Sequence, residues 1–347
     1  MELSSRQEPQ VTIVVVPRER FSCTQASLES IYEHTEYPFQ LIYVDGNSSA
    51  KVRRYLAAQS KARNFKLIRT DYYLPPNHAR NIGLSHVDTK YLVFCDNDVI
   101  LTPGWLKAMV TCAEETGASV VGPLMCEKEP LHTRIHFAGG ESHIVTDIYG
   151  RKHLREKMYK QGQQVADVRP TLERTQTELA EFHCVLVRRE IFDRIGGRLD
   201  EAMLNTKEHL DFCMTVVQAA GTIYFEPAAL VTYVPGPPLE WSDLYFFMLR
   251  WSIAWTRASL KHLREKWDLA EDGYFKTKYK MVSWRRNATI VKPFSRYLIF
   301  GLEYKPLINF LKHWEKKLNR FLTDRYTQQQ TKLQQRVTAA NLSQPLS

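Results

Sequence analysis

An α/β fold, with a mostly parallel sheet flanked by helices and a helical C-terminal extension, is predicted by three features of the chain. Apolar, β-branched runs alternate with helical patterns over residues 11–125, the signature of repeated βαβ units. Two of those runs end in acidic residues, at Asp45 and at Asp96-Asn97-Asp98. Beyond residue 239 strand patterns cease and the chain turns helical, basic and aromatic.

The elements follow in order. VTIVVV, before Pro17, is apolar on both faces and reads as a buried parallel strand. A modest helical pattern over 24–34 leads to a second strand and a Gly/Asn/Ser turn in LIYVDGNSS (41–49). A helix over 51–62, a strand FKLIRT (65–70), a helix over 77–86 and the strand YLVFCDND (91–98) continue the alternation. Residues 105–116 are expected to be helical and ASVVGPLM (118–125) a strand. Residues 126–181 lose the pattern and are expected to be loops. CVLVRREIFDRIGG (184–197) reads as strand, short helix and glycine stop, 205–220 as a helix closed by Gly221, and TIYFEP (222–227) as a strand before the turn-rich VPGPP. We therefore divide the chain into a loose terminus (1–10), an α/β domain (11–238, with halves 11–125 and 126–238) and a basic helical extension (239–347).

Composition narrows the function classes. The 347 residues carry a net charge of +9, but 20 Lys/Arg against 8 Asp/Glu lie in residues 241–347, so the basic character belongs to the C-terminal third. This suits an anionic surface. No groove-reading motif accompanies the charge, which argues against nucleic acid. No apolar run approaches the roughly 20 residues that cross a bilayer, and the first residues lack the order of a secretory signal. The six cysteines form no C-x-x-C pair, so free thiols in a reducing, cytoplasmic setting are expected. LYFFMLRWSIAW (244–255) reads either as one helix on a membrane surface, with Arg250 among the cations at the headgroups, or as a helix packed on the α/β domain or a second subunit, giving a homodimer.

Strand C-termini are where open α/β sheets bind ligands, and the acids fall there. Asp96 and Asp98, two residues apart after an apolar strand, form a donor set for Mg²⁺ or Mn²⁺, which prefer oxygen ligands and keep positions open for phosphate. An Asp-rich turn or helix cap is the plainer alternative. Asp45 can accept hydrogen bonds from a nucleobase or ribose, although alone an Asx turn explains it better. Asn77, Arg80 and Asn81 supply amides and a guanidinium ahead of the acidic strand. Glu181 and His183 precede an apolar strand and could reach a substrate pocket, although a buried, hydrogen-bonded structural His is the more common outcome; His132, His136 and His143 are spaced too irregularly for a zinc site.

VTIVVVP, VDGNSS and NHARNIGLSHVDTKYLVFCDNDV, in this order and separation, resemble glycosyltransferase family 2 on the GT-A fold, over residues 11–233. The resemblance implies an inverting, nucleotide-sugar-dependent transferase. Pro17 and Glu19 would line the donor pocket, Asp45 would contact the base, and Asp96 and Asp98 the ribose and metal. The donor would be UDP-, GDP- or dTDP-linked, and the acceptor a glycan, lipid-linked or other hydroxyl. The acceptor-side acidic cluster reads Glu208-His209-Leu210-Asp211, with His209 where the family usually places its catalytic Asp. Glu208, His209 and Asp211 are each candidates for the base, and an inactive protein is the remaining option. Tyr233 stands near the family's metal-contacting His. Two other readings compete: a degenerate transferase fold that binds membranes or polyanions, and a nucleotidyltransferase, which lacks its Gly-rich loop here. A peripheral position at the inner face of the cell membrane is expected from the basic extension.

Overall fold

Four parallel strands carry the first half of the sheet. In the computed structural model, which describes residues 10–235 and 239–342, they are β1 (Val11–Val16), β2 (Phe39–Gly46), β3 (Lys66–Thr70) and β4 (Tyr91–Asp96). β1 is central, paired in parallel with β2 and β4, and all six of its residues are buried. That burial on both faces is why its sequence is a continuous apolar run rather than an alternating one. The helices α1 (Thr24–His34), α2 (Ala50–Arg63), α3 (Pro76–Leu84) and α4 (Trp105–Thr116) make the crossovers. α3 lies so close to the sheet that a Cβ on Gly83 would meet Val14 Cγ1 at 2.2 Å.

The full sheet runs β10-β12-β6-β11-β4-β1-β2-β3. Its second half comprises β5 (Val99–Leu101), β6 (Val120–Glu127), β7 (Ile135–Phe137), β10 (Thr175–Thr177), β11 (Cys184–Arg188) and β12 (Ile223–Tyr233). β11 is antiparallel to both β4 and β6 and sits between them. This insertion delivers the segment just before Cys184 to the carboxyl end of β4, where the acids are. Residues 126–181, expected as loops, are a correction: β7 extends β6, and β8 (Gly140–Thr146) and β9 (Lys152–Met158) form a separate hairpin. Its strands carry polar residues on both faces, so no alternation betrays them. Two one-turn helices, α5 (Val165–Val168) and α6 (Ile191–Arg194), follow in this half. The helix expected from residue 205 starts later, as α7 (Glu208–Gln218), because Lys207 takes a left-handed φ of 65°.

The C-terminal third is all helical: α8 (Leu244–Arg250), α9 (Ile253–Lys266), α10 (Gly273–Lys280), α11 (Trp284–Arg286), α12 (Lys292–Leu298) and α13 (Lys305–Leu342). The single helix expected over 244–255 is two, because the Ser252 side chain caps α9 by accepting from Trp255 N at 3.2 Å. Phe246, Phe247, Met248 and Leu249 are buried, which settles this segment as packed against the body of the protein. Arg250, expected at headgroups, is 3% exposed. Gly236, Pro237, Pro238 and the first nine residues lie outside the described part, as does any structural reading of them. Among the described residues, no helix is long and apolar enough to cross a membrane.

Candidate active site

The site grows from the end of β4. Asp96 N bonds His183 O at 2.9 Å and Asn97 N bonds Val16 O at 3.0 Å, so the acidic turn is tied to β1 on one side and to the entry of β11 on the other. The Asn97 side chain accepts from Arg18 N at 3.1 Å and donates to Arg20 O at 2.8 Å, which folds the 18–20 loop over the turn. That fold carries the Arg18 guanidinium between the carboxylates. It lies 3.5 Å from Asp96, 3.4 Å from Asp98 and 3.3 Å from Glu19. Glu19 also accepts from Trp251 Nε1 at 3.0 Å and faces Arg285 at 3.5 Å.

Asp96 has two further partners. Arg80 donates to its Oδ1 at 3.0 Å and His183 Nδ1 meets its Oδ2 at 2.8 Å. Arg80 is itself sandwiched, 4.2 Å over the Phe182 ring. His183 stacks on Tyr233 with centroids 4.1 Å apart, and the Arg18 guanidinium lies 4.9 Å from the centroid of the same Tyr233 ring. Burial, reinforced by Arg18, drives the His183 pKa well below its ordinary value, so the ring is neutral near pH 7. Burial pushes Asp96 up to about 7 against the pull of Arg80, with the Asp98 charge adding to the rise. Burial raises Asp98 too. Two carboxylates are thus held in a dry place where ionisation is costly, and cations make it tolerable.

The donor chemistry of this place suits a divalent cation. Asp98 Oδ1 is fully buried and, among the described residues, has no hydrogen-bond partner, an oxygen whose desolvation is uncompensated. Asp96 and Asp98 are the residues that would hold Mg²⁺ or Mn²⁺, and the position between them is the one Arg18 reaches. Tyr233 contributes a ring stacked on His183 there; among the described residues no three His, Cys, Asp or Glu are grouped to hold an ion.

At the start of α7 the helix presents the Glu208–Asp211 cluster in its first turn. Glu208 accepts from Arg250 at 3.1 Å; burial alone would raise its pKa, but Arg250 and Arg80 outweigh it and keep it ionised. His209 Nε2 is buried and faces Glu181 Oε1 at 3.5 Å, without a hydrogen-bond partner among the described residues. His136 Nε2 approaches the same carboxylate oxygen at 4.0 Å. Asp211 is engaged elsewhere, accepting from Lys266 at 2.7 Å and Trp267 Nε1 at 2.8 Å.

The remaining expected residues have definite places. Asp45 is turned on itself, accepting from Ser48 N and Ser48 Oγ at 2.9 Å each, and is paired with Arg69. Asn77 donates to Asp200 O and Asn81 to Leu199 O, both at 2.9 Å, so these amides secure the loop before α7. Pro17 backs onto Gly46, whose added Cβ would lie 3.2 Å from Pro17 Cγ. Glu19, Arg80, Asp96 and Asp98 therefore converge, while Asn77 and Asn81 support the loop and Asp211 joins the α9 end. Sequence reasoning overlooked Arg18, Arg250, Trp251 and Arg285 as parts of the site. Their signal was only a charge-rich Pro-Arg-Glu-Arg stretch and aromatic–basic pairs in the tail. Beside Tyr233 opens a cavity of about 850 Å³, bounded by Arg20, Glu127, Lys128, Trp284 and Arg285.

A sheet with this strand order, β11 inserted antiparallel between β4 and β6, and paired acids at the end of β4 defines a GT-A glycosyltransferase fold. Residues 12–196, just over half of the chain, match the model of glycosyl transferase family 2, and the chain belongs to that family. It is 24% identical over 217 residues to an uncharacterized protein of Sinorhizobium fredii, covering 61% of this chain and 23% of that one. It is 25% identical over 158 residues to the pre-mycofactocin glycosyltransferase of Mycobacterium tuberculosis, covering 46% and 30%. The chain thus spans less than a third of the length of the curated relatives it matches. Among solved structures, GalNAc-T7 with UDP, GalNAc and Mn²⁺ superposes with a TM-score of 0.51 at 15% identity, over 84% of this chain and 58% of that one. TarS of S. aureus in complex with UDP-GlcNAc gives 0.48 at 13% identity, over 92% of each.

Proposed function

We propose that this glycosyltransferase passes one sugar from a nucleoside diphosphate donor, UDP-, GDP- or dTDP-linked, to an acceptor hydroxyl by a single inverting displacement assisted by Mg²⁺ or Mn²⁺. The observation that carries the reading is the buried Asp96/Asp98 pair at the end of β4, with one carboxylate oxygen unsatisfied and cations arranged around it. A degenerate binding module would gain nothing from keeping two ionisable groups where burial penalises their charge. A bound cation would neutralise charge on the departing diphosphate.

Within this reading His209 is the base. Its Nε2 takes the acceptor hydroxyl's proton as that oxygen bonds the anomeric carbon. The bond from that carbon to the diphosphate breaks, and the diphosphate departs with the electron pair. Attack opposite the leaving group reverses the configuration. Glu181, 3.5 Å from Nε2, stabilises the imidazolium that results. Glu208, locked to Arg250, and Asp211, locked to Lys266 and Trp267, position α7 instead. The acceptor is a glycan or lipid-linked hydroxyl entering beside Tyr233. Six free cysteines, five of them buried, support a cytoplasmic location.

Calorimetric titration of UDP, GDP, CDP and dTDP, with and without Mn²⁺, tests the donor site against Asp98→Ala. Metal-dependent binding of one nucleotide, lost in the variant, is expected; no binding by any of them to folded protein would sink the transferase reading. His209→Ala is expected to keep nucleotide affinity and lose roughly 10²–10⁴-fold in turnover, the usual contribution of a general base. Unchanged turnover would move the base elsewhere.

A further inference from the structure

The C-terminal third buries much of its helices against the transferase body, but the α12–α13 turn and one side of α13 keep large apolar side chains in water. Phe300, at the tip of the turn between α12 and α13, is 99% exposed, Tyr297 81% and Leu302 71%. The turn holds Phe300 at a φ of 53° and Gly301 at 91°, so the backbone itself is bent to project the ring outward. From there Phe310, Trp314, Leu318 and Phe321, spaced four, four and three residues apart, form a stripe along α13, each between 47% and 59% exposed. That spacing puts them on one side of the helix. The opposite side is accounted for: Glu315 pairs with the buried Arg286, Asn319 donates to Met248 O and Tyr326 packs on Trp255.

Contiguous apolar exposure of this extent marks a docking surface. Its flanks carry the charge. Residues 292–325 contain eight Lys and Arg against three Asp and Glu, and two of those acids are already paired, Glu303 with Arg296 and Glu315 with Arg286. Lys317 reaches over the Trp314 ring at 4.7 Å, cation beside aromatic on the exposed side.

We propose that this face, the α12–α13 turn with the outward stripe of α13, docks on an anionic lipid bilayer. Aromatic and aliphatic side chains at an exposed tip enter the headgroup region, and flanking Lys and Arg meet lipid phosphates. A second copy of this chain is the poorer occupant, because it would bring one net-positive face against another. A soluble anion is also poorer, having no use for seven exposed apolar side chains. The surface lies outside the acidic site, so the proposal stands independently of the transfer chemistry. It also replaces the membrane contact expected of residues 244–255, which the fold buries, with one formed by residues 297–321.

Co-sedimentation of the full chain with vesicles of phosphatidylcholine alone, or with about a third phosphatidylglycerol, tests it. Light scattering of the same preparation reports its mass. The expected result is a monomer that sediments with the anionic vesicles at least tenfold more strongly than with the neutral ones, less so at high salt. Phe300→Ser with Leu302→Ser, two solvent-facing changes, is expected to cut that binding tenfold or more while leaving the melting temperature and nucleotide affinity unchanged. Absence of binding to anionic vesicles, or binding that the double variant retains, would overturn the proposal. So would a dimer that the double variant dissociates, which would give the face to a second copy.

Discussion

Arg18→Met removes one positive charge from a dry cluster of three carboxylates and keeps most of the side chain's volume against Tyr233. The guanidinium stands 3.3–3.5 Å from Glu19, Asp96 and Asp98, and all four side chains are at most 4% exposed. At an effective dielectric of about 20, each contact is worth roughly 5 kcal/mol of gross attraction. The net cost is smaller, because the carboxyls take up protons when the cation is gone. Breaking a buried pair on one side generally costs about 3–5 kcal/mol. At roughly 2 °C per kcal/mol for a chain of this size, the variant should melt about 6–10 °C lower. Divalent cation should then rescue it. If Mn²⁺ occupies the place between Asp96 and Asp98, its binding supplies the missing charge and stabilises the variant more than the wild type, growing with the logarithm of ion concentration. Differential scanning fluorimetry over a MnCl₂ series, with CaCl₂ and NaCl as controls, reads both effects. A variant that melts with the wild type, or one that Mn²⁺ raises no further than the wild type, would refute the idea that Arg18 and the metal share one position.

Two more expectations follow from the packing. Glu156, its side chain 10% exposed, packs against Lys207 and Tyr274, and although desolvation opposes ionisation, Lys207 and His209 hold its pKa down to about 2. A depressed carboxyl stabilises the fold above its unfolded pKa and loses that contribution as pH falls through the folded one, so the stability gap between wild type and Glu156→Gln, up to about 3 kcal/mol at neutral pH, should narrow between about pH 4.5 and 2 in urea melts. A gap independent of pH would contradict the pairing. Gly83→Ala drives a Cβ to 2.2 Å from Val14 Cγ1 and should cost about 1–3 kcal/mol by overpacking, relieved by adding Val14→Ala; simple additivity in the double variant would show that α3 and β1 are not in that contact.

What the sequence made legible is the part governed by local pattern. β1 to β4 announce themselves as apolar runs because both sheet faces are covered, and the acids stand out because they interrupt those runs at their ends. The hairpin β8–β9 stays hidden, since Gly-Glu-Ser-His and Lys-His-Leu-Arg place charges on either face of a strand that is only partly buried. The break between α8 and α9 is written as a serine cap, masked by aromatics on both sides. Arg18 is the most instructive case. In the sequence it is one of three charges in Arg-Glu-Arg after a strand, and such runs are usually solvated. Its burial depends on Asp96 and Asp98, about 80 residues away, and no local rule connects them. The same holds for Glu181 and His209, which meet only because β11 enters antiparallel beside β4.

Arg250 has a consequence for how the chain is handled as a piece. One guanidinium donates to Arg18 O, to Asn205 O and to Glu208, while Asp243 receives Phe21 N and Ser22 N, and Ser259 receives Leu204 N and Asn205 N. The loop after β1 and the loop before α7 are therefore fastened to each other through residues more than 200 positions downstream of the first. The stretch that matches the family model ends at residue 196, yet the clamp that fastens its 18–22 loop lies beyond it. A fragment cut to the family boundary would keep Glu19, Asp45, Asp96 and Asp98 and lose the hinge pin between the two loops. Chimeras that exchange the tail between relatives would, for the same reason, change the spacing of the cleft as well as the exposed aromatic face of α13.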